Sequence, residues 1–158
     1  PASGGARLQV APYALQAKAT VDFPGTAPRP RLGVYGEWGG LFLDNWTGKP
    51  VPFFTDGLYC LRTDDTPPQW GKPYETTIPH INERQLWIPL TDRGSGPNLY
   101  SLRMTVDGKP AFADWDPDTR TVRVDLGDFS PGRHTLSATV ADWAGNSSRL
   151  ATIPFVTK

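Results

Sequence analysis

Leu99-Tyr100-Ser101-Leu102-Arg103-Met104-Thr105-Val106-Asp107-Gly108-Lys109 is the stretch whose reading decides the fold. Tyr100, Leu102, Met104 and Val106 recur with a period of two, the spacing that sends alternate side chains of a strand to opposite faces. Asp107-Gly108 follows at once, and both residues tolerate the positive φ that a type I′ hairpin turn requires. The chain is therefore expected to return immediately as a second strand, over residues 109–113. The alternation continues on either side. Residues 84–90 set Leu86, Ile88 and Leu90 on one face, residues 121–126 do so with Val122, Val124 and Leu126, and residues 134–141 with Leu136, Ala138 and Val140. Asp116-Pro117-Asp118-Thr119, Ser130-Pro131-Gly132 and Ala144-Gly145-Asn146 supply the turns between them. Residues 149–156 close the sheet, with Pro154 suited to an edge strand because it has no N–H to give a second neighbour. Short alternating strands at this spacing predict a β-sandwich of about seven strands.

The N-terminal part reads similarly. Residues 7–10, 16–23, 31–35, 41–43, 51–54 and 57–62 form a group of about six short strands, with Gly36-Glu37-Trp38-Gly39-Gly40 and Asp44-Asn45-Trp46-Thr47-Gly48 as turns. At Thr63-Asp64-Asp65-Thr66-Pro67-Pro68 two prolines remove backbone donors and impose an extended path. The expected organisation is all-β, two tandem small β-sandwich domains, with an N-terminal β-domain over 1–66 and the larger sandwich over 67–158. Composition agrees: 17 Pro and 16 Gly against one Met leave little room for long helices.

Charge and hydropathy narrow the partners. Sixteen basic and sixteen acidic residues cancel, so no net field gathers nucleic acid, and no basic stripe replaces it. No run approaches the roughly 18 consecutive apolar residues of a membrane-spanning helix. The chain opens with Pro1-Ala2-Ser3-Gly4-Gly5 rather than Met, which suggests a processed terminus or a piece of a longer chain. The single Cys60 has no partner for an internal disulfide, and its apolar setting favours a buried, inert thiol.

Several of the turns form a recognisable set. Gly57-Leu58-Tyr59-Cys60-Leu61 running into Asp64-Asp65-Thr66-Pro67-Pro68 resembles the segment that precedes bacterial immunoglobulin-like modules. Asp92-Arg93-Gly94-Ser95-Gly96, Val106-Asp107-Gly108-Lys109, Gly132-Arg133-His134-Thr135-Leu136 and Ala141-Asp142-Trp143-Ala144-Gly145-Asn146 resemble the turns of that module, in the same order. The resemblance covers about residues 57–156. It implies an immunoglobulin-like second domain similar to the C-terminal β-sandwich regions of some lysostaphin-like zinc endopeptidases and other envelope proteins. It also implies a secreted, periplasmic or cell-surface setting, with neighbouring domains of a larger chain as partners.

The zinc chemistry of those peptidases does not accompany the resemblance. Their metal is held by two His and an Asp with a His-x-His pair, whereas the two histidines here, His80 and His134, are far apart in the sequence and have no metal-ligand spacing. No Gly-x-Ser-x-Gly elbow is present. Glu37 and Asp44, the best carboxylate pair, both lie in turns, where such groups usually accept backbone hydrogen bonds. The expectation is a non-catalytic accessory or structural module. Its alternative is a carbohydrate- or cell-wall-binding module that uses exposed aromatics, with Trp38, Trp46 and Trp87 as the candidate ligand contacts. One acidic group completes the candidates: Asp64, Asp65, Asp92 and Asp142 are expected near one pole of the sandwich. They are expected to be turn formers and solvated linker residues, with a structural calcium site as the alternative. No other cofactor is expected.

Overall fold

The computed structural model describes residues 5–8, 19–36, 42–53, 57–78 and 83–158. The chain divides into two compact units at Thr66/Pro67, and the first also takes in the loops Gly94–Gly96 and Trp143–Asn146. Both units are all-β and antiparallel; a three-residue 3₁₀ turn over Leu126–Asp128 is the one helical element among the described residues.

In the first unit, β1 (Gly5–Leu8), β3 (Leu32–Gly36), β4 (Phe42–Asn45) and β6 (Gly57–Thr63) form a sheet ordered β1-β6-β3-β4, while β2 (Ala19–Val21) pairs with β5 (Val51–Phe53). The antiparallel pairing of β3 with β4 is the expected hairpin; its tip, with Glu37 and Trp38, lies outside the described residues, as does His80. Phe23, Leu32, Val34, Trp46, Val51 and Tyr59 form the core. Cys60 is a half-buried free thiol opposite Tyr35.

The second unit is a sandwich. One sheet contains β7 (Gln69–Trp70), β8 (Tyr74–Ile78), β9 (Glu83–Thr91), β12 (Asp114–Asp116) and β13 (Thr121–Asp125), with β7 and β8 both on β9 and the order running β9-β13-β12. The other contains β10 (Pro97–Val106), β11 (Lys109–Pro110), β14 (Gly132–Asp142), β15 (Ser147–Arg149) and β16 (Ile153–Thr157), ordered β11-β10-β14, with β15 and β16 both on β14. With the broken strands counted as one each, this is the strand order of an immunoglobulin-like sandwich plus the short β11. The two inner faces meet in one core: Leu86, Ile88, Leu90, Val122, Val124 and Leu126 from one side, Met104, Val106, Leu136, Ala138, Val140 and Phe155 from the other. Asp107 and Gly108 have φ of 51° and 77°, the left-handed pair that a type I′ turn demands, and the chain returns at once as β11.

Three departures from simple alternation have local causes. Pro89 sits inside β9, where it has no N–H to donate. Opposite it the edge strand breaks into β7 and β8, and Gly71 donates instead to the Pro89 carbonyl at 2.8 Å. A Cβ on residue 71 would lie 2.8 Å from the Pro89 ring, so glycine is needed at this contact. On the other sheet, the register of β14 shifts by one residue between β15 and β16; the extra residue bulges the edge while Leu150 still donates to Ala138 at 2.9 Å. The third is a correction. Tyr100, expected inward, is 83% exposed, because β10 carries three extra residues between Asn98 and Arg103 relative to β14. The Ser101 hydroxyl fills the interrupted ladder, donating to Asn98 O at 2.7 Å and accepting from Ala141 N at 2.8 Å.

Candidate functional site

Asp64, in the first unit, is 95% buried, its relative exposure being 5%. Oδ1 accepts from Thr66 N at 3.1 Å and Oδ2 from Ser95 N at 2.6 Å, while its backbone carbonyl accepts from Asn146 Nδ2 at 2.8 Å. Around it, Ala144 N donates to Ser95 Oγ at 3.0 Å and Asn45 Nδ2 to Trp143 O at 3.1 Å. A negative charge surrounded by backbone N–H groups holds several chain segments at one point. Gly94 is what lets the carboxylate in: a Cβ there would be 2.1 Å from Oδ2. Asp65, one residue on, is instead exposed and paired with Arg31 at 3.3 Å. In the second unit, carboxylate oxygens of Asp92 and Asp142 lie within 4.8 Å of each other, and Asp142 is fully buried. The four aspartates thus occupy different environments, an anchor, a surface pair and a close couple; Asp64, expected as a solvated linker residue, is instead buried, because a backbone N–H distant in the sequence, that of Ser95, donates to its carboxylate.

His134 is the half-buried histidine of the second unit. Nδ1 lies 2.7 Å from Asp107 Oδ2 and Nε2 lies 2.8 Å from the Ser130 carbonyl oxygen. A carboxylate and a carbonyl can only accept, so this geometry favours the protonated ring, which donates from both nitrogens. The bond to Asp107 first, and the bond to Ser130 second, raise its pKa above the ordinary value. The bond from His134 first, then that from Thr135 N, lowers the Asp107 carboxyl. The ring also stacks on Phe155, with centroids 5.3 Å apart, and Thr157 Oγ1 donates to the same Ser130 carbonyl. The group therefore clasps the β10–β11 turn, the entry to β14 and the end of β16.

The tryptophans divide by face. Trp46 is corrected from candidate ligand contact to core. It is 3% exposed, meets Phe23 edge-on at 5.4 Å, and gives its indole N–H to Thr26 O at 3.1 Å. A turn flanked by Asp44 and Gly48 reads as solvent-facing in sequence; burial here depends on residues some twenty positions earlier. Trp38 lies outside the described residues. Trp87 does face outward from β9. Its ring is covered by the Arg123 guanidinium at 4.4 Å, flanked by Tyr74 at 5.9 Å, and Arg123 is paired with Asp116. Tyr74, Trp87 and Arg123 are direct register neighbours across β8, β9 and β13, so the row follows from pairing that the sequence alone did not reveal.

Comparison with family models, with curated proteins and with solved structures returns no match.

Proposed function

We propose that the chain is a non-catalytic β-sandwich module acting as a structural or accessory part of a secreted or envelope-attached bacterial protein. The observation that carries this is how its acid–base side chains are engaged. His134 has both ring nitrogens on acceptors. Asp64 and Asp107 take backbone N–H groups, Asp116 takes those of Asp118 and Thr119 together with Arg123, and Asp125 takes Gly127 N at 2.8 Å. Groups held this way stabilise turns and joins between strands. The turn motifs resembling bacterial immunoglobulin-like modules support the extracytoplasmic setting. The test pairs stability with activity. Asp116→Asn and His134→Gln should lower the melting temperature, with no turnover by the native chain on peptidoglycan or casein. Hydrolysis lost in either variant while the melting temperature is kept would overturn the proposal.

A second reading, carbohydrate or cell-wall binding, is favoured by the outward row of Tyr74 and Trp87. Tyr74 is 47% exposed, and an exposed aromatic can stack on a sugar ring. It predicts retention on insoluble cell-wall polysaccharide that Tyr74→Ala and Trp87→Ala abolish without unfolding.

A further inference from the structure

The two broken edge strands of the second unit face a common groove. Residues 68–73, including β7, line one wall and residues 148–154, spanning the bulge from β15 to β16, line the other, around a cavity of about 730 Å³. Among the described residues β7 has one hydrogen-bonded neighbour, β9, and β15 and β16 have one, β14. Each wall therefore presents a strand edge with backbone donors and acceptors. Prolines mark both edges: Pro68 and Pro73 bracket one, and Pro154 lies on the other. Having no N–H, they limit pairing to short windows. The volume lies within the range of ligand sites.

The wall chemistry has one sign. Lys72 and Arg149 line the groove, no Asp or Glu does among the described residues, and neither cation is drawn into an ion pair with a described residue. Arg149 also borders a smaller cavity of about 230 Å³ on the outer sheet face, with Arg103 and the hydroxyl-bearing Thr105, Ser137 and Thr139. The basic character thus continues beyond the groove mouth. Two polar groups of the wall, the Trp70 indole N–H and the Ser148 hydroxyl, are enclosed without a hydrogen-bond partner among the described residues. Native interiors leave few such groups unsatisfied.

We propose that this groove is a docking site for an extended, acidic peptide segment of a partner protein, which the strand edges bind by main-chain hydrogen bonds and Lys72 and Arg149 select by charge. The mode is strand addition: backbone pairing supplies affinity and alternate side chains supply specificity. Between the bracketing prolines there is room for about four residues at roughly 3.3 Å each.

The test uses the full chain and a fluorescein-labelled hexapeptide of alternating valine and glutamate, followed by fluorescence polarisation and by the indole ¹H–¹⁵N resonance of Trp70. The expected result is saturable binding that weakens with salt, shifts the Trp70 indole resonance, and falls at least about tenfold in K72E/R149E, the loss of a charge-assisted contact. K72R/R149K should retain it, and a valine–lysine hexapeptide should not bind. The proposal is overturned by no binding at millimolar peptide, by equal binding of the two peptides, or by binding that leaves the Trp70 resonance and K72E/R149E unaffected. Binding of oligogalacturonate with the same charge dependence, without binding of the peptide, would assign the groove to an anionic glycan instead.

Discussion

Replacing Gly94 by alanine puts the Asp64 anchor under direct strain. A Cβ at residue 94 would lie 2.1 Å from Oδ2 and 2.2 Å from Cγ of Asp64, well inside non-bonded contact, so the carboxylate must leave its place or the loop must move. Leaving breaks the bonds from Ser95 N at 2.6 Å and Thr66 N at 3.1 Å. A hydrogen bond to a charged group is worth about 1.5–3 kcal/mol, so two sum to about 3–6 kcal/mol. Because both use one carboxylate they are not independent, and the lower end, about 3 kcal/mol, is expected. Asp64→Asn calibrates the estimate. Each oxygen now accepts one N–H, an amide keeps a single oxygen, and one bond must go, for a loss of about 1.5–3 kcal/mol. Urea unfolding followed by tryptophan fluorescence should rank native above Asp64→Asn above Gly94→Ala. If Gly94→Ala falls within about 0.5 kcal/mol of native, the range of an ordinary surface change, the Asp64 anchor contributes nothing to stability.

Trp46→Ala should destabilise by about 3–5 kcal/mol, the usual cost of emptying a core aromatic site, and a surface-like effect in denaturant titrations would return that ring to the candidate contacts. The His134 clasp predicts a pH dependence. The folded pKa of His134 is raised above 6.5, so its contribution is full below that value and lost as pH rises through the folded pKa; that of Asp107 is lowered below 3.8, so its contribution is present above that value and lost as pH falls through the folded pKa. The melting-temperature gap between native and His134→Gln should therefore be widest at about pH 5 and narrow above neutrality; a gap constant with pH would show that the imidazolium is not the stabilising form. Millimolar calcium should leave the melting temperature of chelator-treated protein unchanged, because Asp64 already holds two N–H groups and Asp65 a guanidinium. A rise abolished by Asp92→Asn or Asp142→Asn would make the close couple a cation site.

Period-two patterning located the inward residues wherever strands run unbroken. Leu86, Ile88 and Leu90, Val122, Val124 and Leu126, and Leu136, Ala138 and Val140 are all core. Turn chemistry that rests on two adjacent residues, Asp107-Gly108, was equally legible, since the required φ is a property of those residues alone. What the sequence did not disclose depends on partners distant along the chain. The outward swing of Tyr100 arises from register against β14, and the burial of Trp46 from Phe23 and Thr26. The environment of Asp64 is set by Ser95 and Asn146. The groove was equally hidden, although Pro68, Pro73, Pro89 and Pro154 all lie in or beside strands, and together they mark where a sheet edge is interrupted. No pattern of single residues announces that two such interruptions line one cavity.

The division of the chain has a consequence for how such a protein can be inherited. Because the first unit includes residues 94–96 and 143–146 as well as everything up to Thr66, the polypeptide passes from one unit to the other five times. A recombination breakpoint at Thr66/Pro67 would look, in the gene, like a clean cut between two coding blocks. It would nevertheless deliver Ser95 and Asn146 to the recipient without the aspartate they bond, and leave Asp64 in the donor with a buried charge short of its donors. Exchange between lineages is therefore expected to carry both blocks together, so that the pair is the unit on which duplication and shuffling act.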